Sequence, residues 1–254
     1  MLSISLQNPE QFTSYPPKWF PRPFAWNNFS DAMTHPYRPF HLWFKNTLIY
    51  TFVATAGTAI SSAVVAYAFA RLVFPGRDAL FVLVLSTMML PAQVTLIPRY
   101  IIMHRLGWVD SLKPLIIPPW FANAFNIFLL RQFFLTLPRE LDEAAILDGC
   151  DYLAIFWRVL LPLAKPAVVT VVAFSIVRTW NDFMGPLIYL NSNKNMTISV
   201  GLDRLNRTAE GGGFVHFGQI MAASVLSLVP MMLLFVGAQR YFVTGIVMTG
   251  LKEG

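Results

Sequence analysis

Charge is scarce in this sequence. Asp, Glu, Lys and Arg make up 13% of its 254 residues. They cluster so that the stretches 46–70, 79–98, 114–130 and 211–239 carry none at all. A helical bilayer span needs about 20 mostly apolar residues. The first, second and fourth gaps reach that length, and the third does once it runs on to Leu137. With 56% hydrophobic residues and a mean hydropathy of +0.54, an ordinary soluble domain is excluded.

Other absences exclude more. Cys150 is the only cysteine, so no internal disulfide can form, and it reads as a small structural residue rather than a reactive thiol. No Gly-Lys-Ser/Thr occurs, so there is no phosphate-cradling loop and any ATP chemistry must come from another polypeptide. HExxH, CxxC and GxSxG are missing, and His35, His41, His104 and His216 lack metal-ligand spacing. Residues 1–45 hold no basic stretch followed by an apolar run, so they are not expected to act as a signal peptide. The net charge of +6 is scattered rather than interleaved with aromatics, which suits a membrane surface and not nucleic acid.

What is present reads as an all-α integral membrane protein, a polytopic bundle of five transmembrane helices. Spans are expected at about 46–70, 79–102, 114–137, 164–190 and 217–243, and Pro91 and Pro98 interrupt the second. Residues 1–45 are a different material. Pro9, Pro16, Pro17, Pro21, Pro23, Pro36 and Pro39 alternate with Trp19, Phe20, Phe24, Trp26, Phe29, Trp43 and Phe44, the composition of an extended segment at a membrane interface. Residues 191–216, with Gly211-Gly212-Gly213, read as a polar loop. A raw count of Lys and Arg on the two faces does not orient the chain. Leaving out the two long segments, as the positive-inside rule requires, favours the 138–162 side as cytoplasmic.

Between the third and fourth spans lies PRELDEAAILDGCDYLAIFWRVLLPLAKP, residues 138–166. Pro138 suits a first helical position, and Glu140, Asp142 and Glu143 follow where carboxylates complement the helix dipole. Gly149 is the expected left-handed terminator. Asp151 can cap a second helix whose Tyr152, Ile155, Phe156, Val159 and Leu160 form one apolar stripe, and Pro162 is expected to end it. The pattern is a helix–glycine–helix elbow at a membrane surface.

The elbow resembles the signature loop of ATP-binding-cassette importer permeases: EAA, three residues, G, nine residues, I, one residue, LP. Here that is Glu143-Ala144-Ala145, Gly149, Val159 in place of Ile, and Leu161-Pro162, with Asp148 ahead of the glycine. The second permease of maltose-type carbohydrate importers is resembled further by Asn46, Ala66-Tyr67-Ala68-Phe69-Ala70-Arg71, Phe74-Pro75-Gly76-Arg77, residues 88–98 and Leu106-Gly107. Phe128-Leu129-Leu130-Arg131-Gln132-Phe133-Phe134, Trp180-Asn181-Asp182-Phe183 and Gln239-Arg240-Tyr241-Phe242 extend the likeness.

The resemblance implies a permease domain over 46–254 whose coupling loop, 138–162, receives force from an ATPase in the cytoplasm of a bacterial or archaeal cell. Glu143, Ala144, Ala145, Asp148, Gly149, Val159, Leu161 and Pro162 would form that coupling site. The implied partners are a second permease, two ATPase subunits and an extracytoplasmic solute-binding protein. This chain would hold no cofactor, ATP and Mg²⁺ belonging to the ATPases, and would perform no catalytic step. A sugar phosphate or polyol is the alternative cargo to a carbohydrate. A channel or a membrane enzyme is the reading from another class.

Asp182 and Arg178 are expected within the fourth span, four residues apart on one helical face, and an ionisable residue in a span is a functional candidate. A structural or gating pair is weighed there against a place on the solute path. Gln93, Trp180, Asn181 and Asp182 are the path candidates. Asn193, Lys194 and Asn195 stand where the family's binding-protein loop would be, with an ordinary solvated connector as the alternative. The resemblance also implies a six-span plan with a basic N-terminus and a further span ahead of residues 1–45. In-frame codons upstream of Met1 are therefore expected to encode a basic stretch and about 20 apolar residues.

Overall fold

The computed structural model describes residues 1–12, 19–34, 39–210 and 217–250, without the side chains of 12, 208–210 and 238–250. Pro16, Pro17, Pro36, His35, His216, the glycines 211–213 and the side chains of 239–242 lie outside the described residues. Short helices Leu2–Ser5, Pro9–Phe12 and Asn27–Thr34 occupy the N-terminal segment. The principal elements are α1 (Phe40–Arg71), α2 (Arg77–Ser86), α3 (Ala92–Arg105), α4 (Ala124–Thr136) and α5 (Glu140–Leu147). They continue with α6 (Tyr152–Leu163), α7 (Lys165–Trp180), α8 (Met184–Tyr189), α9 (Ile198–Glu210) and α10 (Phe217–Gly250).

Among the described residues, α1 and α10 are long and apolar enough to cross a membrane unaided, and up to four helices are if each bent pair counts as one span. The pairs α2–α3 and α6–α7 bend by 97° and 80°. Leu90 is extended at φ −80, ψ 118, because the ring of Pro91 disfavours the helical conformation in its predecessor, and Pro91, itself extended, precedes α3. Pro98, by contrast, is accommodated within α3. Residues 114–137 are divided in turn: Pro118 opens a 3₁₀ turn, Pro118–Phe121, and Ala122 has φ +68 before Asn123 caps α4 through its side chain.

The chain forms two compact units. One comprises 1–50, 108–112 and 180–236. Its core holds Phe40, Trp43, Trp180, Met196, Ile198, Val200 and Ala223. Gly201 lies against the Trp43 indole so closely that a Cβ there would overlap the ring.

The other comprises 51–107, 113–179 and 237–254. The small residues Ala59, Ala63, Ala66 and Ala70 recur along one stripe of α1, which lets backbones approach closely. Ile127, Leu130 and Phe134 of α4 belong to the same core, with Ile155, Phe156 and Leu160 of α6 and Ala164, Ala167 and Val171.

Residues 191–216 are not the plain loop expected. They contain α9, in which Ile198, Leu202 and Leu205 pack on the first core, while Asp203 and Arg207 pair at 2.8 Å on the other side. Apolar residues at i, i+4 and i+7 are a helical signal that polarity and the glycine run obscured.

Candidate coupling surface

The elbow is two helices meeting at a glycine. Glu140, Asp142 and Glu143 occupy the first turn of α5, where the free backbone N–H groups favour carboxylates. The helix stops because Gly149 adopts φ +82, with nothing within 4 Å of where a Cβ would stand. Its conformation, not crowding, selects glycine. The Oδ1 atom of Asp151 then accepts from the Ala154 N–H at 2.7 Å and starts α6, as side-chain caps do.

Pro162 does not end α6. Helical geometry runs through Leu163, and the chain turns at Ala164. Residues Ile155–Leu160 are wound as a π-helix. A proline ring crowds the carbonyl four residues back, and the wider i→i+5 turn makes room for it. Within the expected stripe, Ile155, Phe156 and Leu160 are buried and Val159 is partly so, but Tyr152 is exposed.

The two alanines of the signature do different things. Ala145 is buried in this chain's own core, whereas Ala144 faces outward. Glu143, Asp148, Gly149 and Pro162 are also exposed, as are Ile146, Leu147 and Leu153, and Leu161 is partly buried. The outer face therefore offers apolar side chains beside two carboxylates. An open concavity lined by Phe74, Arg77, Asp78 and Arg139 lies beside it.

The inner face is tied to the last turns of α1. Arg71 Nη1 lies 3.1 Å from Asp142 Oδ2, and these side chains are 4% and 18% exposed. The Arg71 Nη2 atom donates to the Leu137 carbonyl at 2.8 Å, and the Tyr67 hydroxyl donates to the Tyr152 carbonyl at 3.0 Å. Burial pushes the Asp142 carboxyl above its ordinary value, against the pull of Arg71 and Arg139. Nearby, the Arg131 guanidinium sits 4.1 Å over the Phe81 ring. In the sequence, Tyr67, Arg71 and Arg131 stand out only as parts of motifs. Their partners lie about 60 to 85 positions away along the chain, and no local pattern announces them.

The path candidates are placed as follows. Gln93 is exposed in the first turn of α3, in the 51–107 unit. Trp180 is buried, edge-on to Phe44 at 6.1 Å, and Asn181 is exposed. Asp182 does not share a helical face with Arg178, because α7 ends at Trp180. Its Oδ2 accepts from the Tyr50 hydroxyl at 2.7 Å, and its Oδ1 from the Gly185 N–H at 3.2 Å.

In the 191–216 segment, Asn193–Asn195 form a 3₁₀ turn that is pinned from three sides. The Trp43 indole N–H donates to the Asn193 carbonyl at 2.7 Å. Asn46 Nδ2 donates to the carbonyls of Lys194 and Met196 at 2.9 Å. Asp110, at φ +60, receives the Asn191 and Ser192 N–H groups and the Ser192 hydroxyl on its carboxylate. Asn195 Nδ2 donates to the Asp110 carbonyl at 2.6 Å. Burial pushes the Asp110 carboxyl up, but the bonds from Ser192 and Asn191 outweigh it and hold it down to about 2. Within the tip, the Lys194 side chain is the exposed one.

Residues 59–247 match the family of binding-protein-dependent transport system inner membrane components. The arabinooligosaccharides transport system permease protein AraQ of Bacillus subtilis is 33% identical over 210 residues, which cover 83% of this chain and 73% of that one. The sn-glycerol-3-phosphate transport system permease protein UgpE of Yersinia pestis is 32% identical over 250 residues, covering 97% and 88%. A solved chain from a bacterial ABC transporter involved in the import of the acidic polysaccharide alginate superposes with a TM-score of 0.83 at 24% identity. It covers 95% of this chain and 88% of that one, and it shows the fold.

This chain belongs to the binding-protein-dependent transport system inner membrane component family. It is a membrane permease subunit of an ABC importer, a transport component and not a catalyst, and works with a partner permease, an ATPase and a binding protein.

Proposed function

We propose that this subunit carries a carbohydrate across the membrane, paired with one second permease and driven by two ATPase subunits that dock on the 138–162 elbow from the cytoplasm. The observation that carries the reading is the two-faced elbow: Ala145 buried inward, and Glu143, Ala144, Ile146, Leu147, Asp148 and Gly149 open outward. A short helix with small and apolar residues on its free face fits a hydrophobic groove, and its carboxylates suit cationic groups at the groove's rim. ATP and Mg²⁺ are held by the ATPases. Of the path candidates, Gln93 and Asn181 are the exposed ones. Lys194, on its pinned turn, is the group we assign to the binding protein.

The cargo reading rests on the arabinooligosaccharides relative. The relative named for sn-glycerol-3-phosphate supports a phosphorylated polyol as the second reading. Purification of the tagged chain from cells expressing the neighbouring transport genes tests the assembly. The ATPase is expected to co-purify with the native chain and to be lost with Ala144→Arg; recovery from both would remove the docking claim. Calorimetry of the neighbouring binding protein against oligosaccharides and sn-glycerol-3-phosphate decides the cargo.

A further inference from the structure

Tyr67 and Arg71, one turn apart on α1, meet the lead-in to the elbow and both of its helices. Arg71 bonds the Leu137 carbonyl in its lead-in and the Asp142 carboxylate in α5, and Tyr67 bonds the Tyr152 carbonyl opening α6. Apolar packing backs the polar contacts, since the Tyr67 ring lies 5.2 Å from that of Phe156 and 6.3 Å from that of Phe134. Among the described residues, Arg71 Nε and Asp142 Oδ1 are buried without a hydrogen-bond partner. The pair therefore costs desolvation that its geometry does not fully recover, which is more than mere cohesion of an apolar interface asks for.

The helix so gripped is a continuous one. α1 is unbroken over 32 residues and contains no proline, a length of about 48 Å at the helical rise per residue. α2–α3 and α6–α7, by contrast, are bent by 97° and 80°.

We propose that Tyr67 and Arg71 are positioning residues that lock the elbow to α1, making α1 the lever through which ATPase closure is delivered to the membrane. This rests on the reading of the elbow as the ATPase docking surface. The lock holds Leu137, Asp142 and Tyr152 to one helical turn, so the elbow and the end of α1 move as a single body through the transport cycle.

The test uses the complete complex in lipid nanodiscs. Spin labels go at Val73→Cys, two residues past the end of α1, and at Trp157→Cys in α6, away from the docking face, exposed at 89% and 52%, in a Cys150→Ala background. The label-to-label distance is expected to stay constant between nucleotide-free and ATP-bound states. A change beyond about 2 Å, the scale of helix shifts in switching proteins, overturns the lock. In liposomes, Arg71→Gln is expected to retain the ATPase but to lower solute moved per ATP by roughly tenfold, within the range of ordinary coupling energies. Arg71→Lys, which keeps the positive charge opposite Asp142, is expected to recover most of it. An unchanged ratio in Arg71→Gln overturns the proposal, and a variant that fails to assemble leaves the distance measurement to decide. Loss of the ATPase from the native complex would instead fault the docking reading on which the lock depends.

Discussion

The Tyr50 hydroxyl donates to Asp182 at 2.7 Å, so a carboxylate in the break after α7 is held by a residue in the first half of α1. The same carboxylate accepts the Gly185 N–H in the first turn of α8, and its backbone carbonyl accepts from Ser199 Oγ at 2.7 Å. Asp182 is the organiser of that break.

Removing the Tyr50 hydroxyl with Tyr50→Phe is expected to cost about 1.5–3 kcal/mol, the value of a hydrogen bond to a charged group. Asp182→Ala is expected to cost more, because the Gly185 N–H loses its acceptor too. Thermal unfolding in detergent measures both. Loss of uptake in Asp182→Asn with an unchanged melting temperature would assign this carboxyl to the solute path instead.

Gly149 is replaceable by shape but not by conformation. With φ +82 and open space around it, Gly149→Ala is expected to cost about 1–2 kcal/mol of backbone strain, and Gly149→Asn less, because Asn tolerates the left-handed region. Gly149→Pro, with φ fixed near −65°, breaks the elbow and uncouples uptake from ATP hydrolysis. Equal melting temperatures for the Ala and Asn variants would contradict the conformational argument.

Gly201 is the opposite case, since space is what it lacks. A methyl group there meets the Trp43 ring, which is 1% exposed and cannot swing away. Gly201→Ala is expected to destabilise by about 1–3 kcal/mol, as overpacking does. An unaltered melting temperature would mean that the indole can yield.

Asp110 sets a pH dependence on the pinned 189–195 segment. Its folded value of about 2 lies below the usual 3.8, so its contribution is complete above the unfolded value and is lost as pH falls through the folded one. Protection of the Asn191 and Ser192 amides against hydrogen exchange, corrected for intrinsic rates, is expected to persist down to about pH 4 and to vanish toward pH 2. At neutral pH, Asp110→Gly keeps φ +60 without strain but loses the acceptors, and Asp110→Ala loses both. Full protection in Asp110→Ala would dissolve the clip.

The elbow was legible in the sequence because its determinants are local. A carboxylate cluster, a left-handed glycine and an Asp cap each act within one helical turn, and each stands where the spacing implied. Pro162 misled, since its effect is absorbed by six residues of π-helix and not by termination. The sequence places Asp182 on a helical face because an apolar window runs smoothly across the break at Trp180. α9 was hidden by its polar half. The Arg71–Asp142 and Tyr67–Tyr152 contacts were beyond reach for a different reason. They join positions 71 and 85 residues apart, and only the packed alanine stripe of α1 brings those positions together.

ATP-driven uptake into liposomes tests the central claim most directly, with the assembled complex, the loaded binding protein outside and ATP within. Solute accumulation is expected to require both the binding protein and ATP, and to fall to background when Ala144→Arg replaces the native elbow. Accumulation that persists without ATP, or undiminished in the Ala144→Arg complex, would contradict a permease driven through this surface.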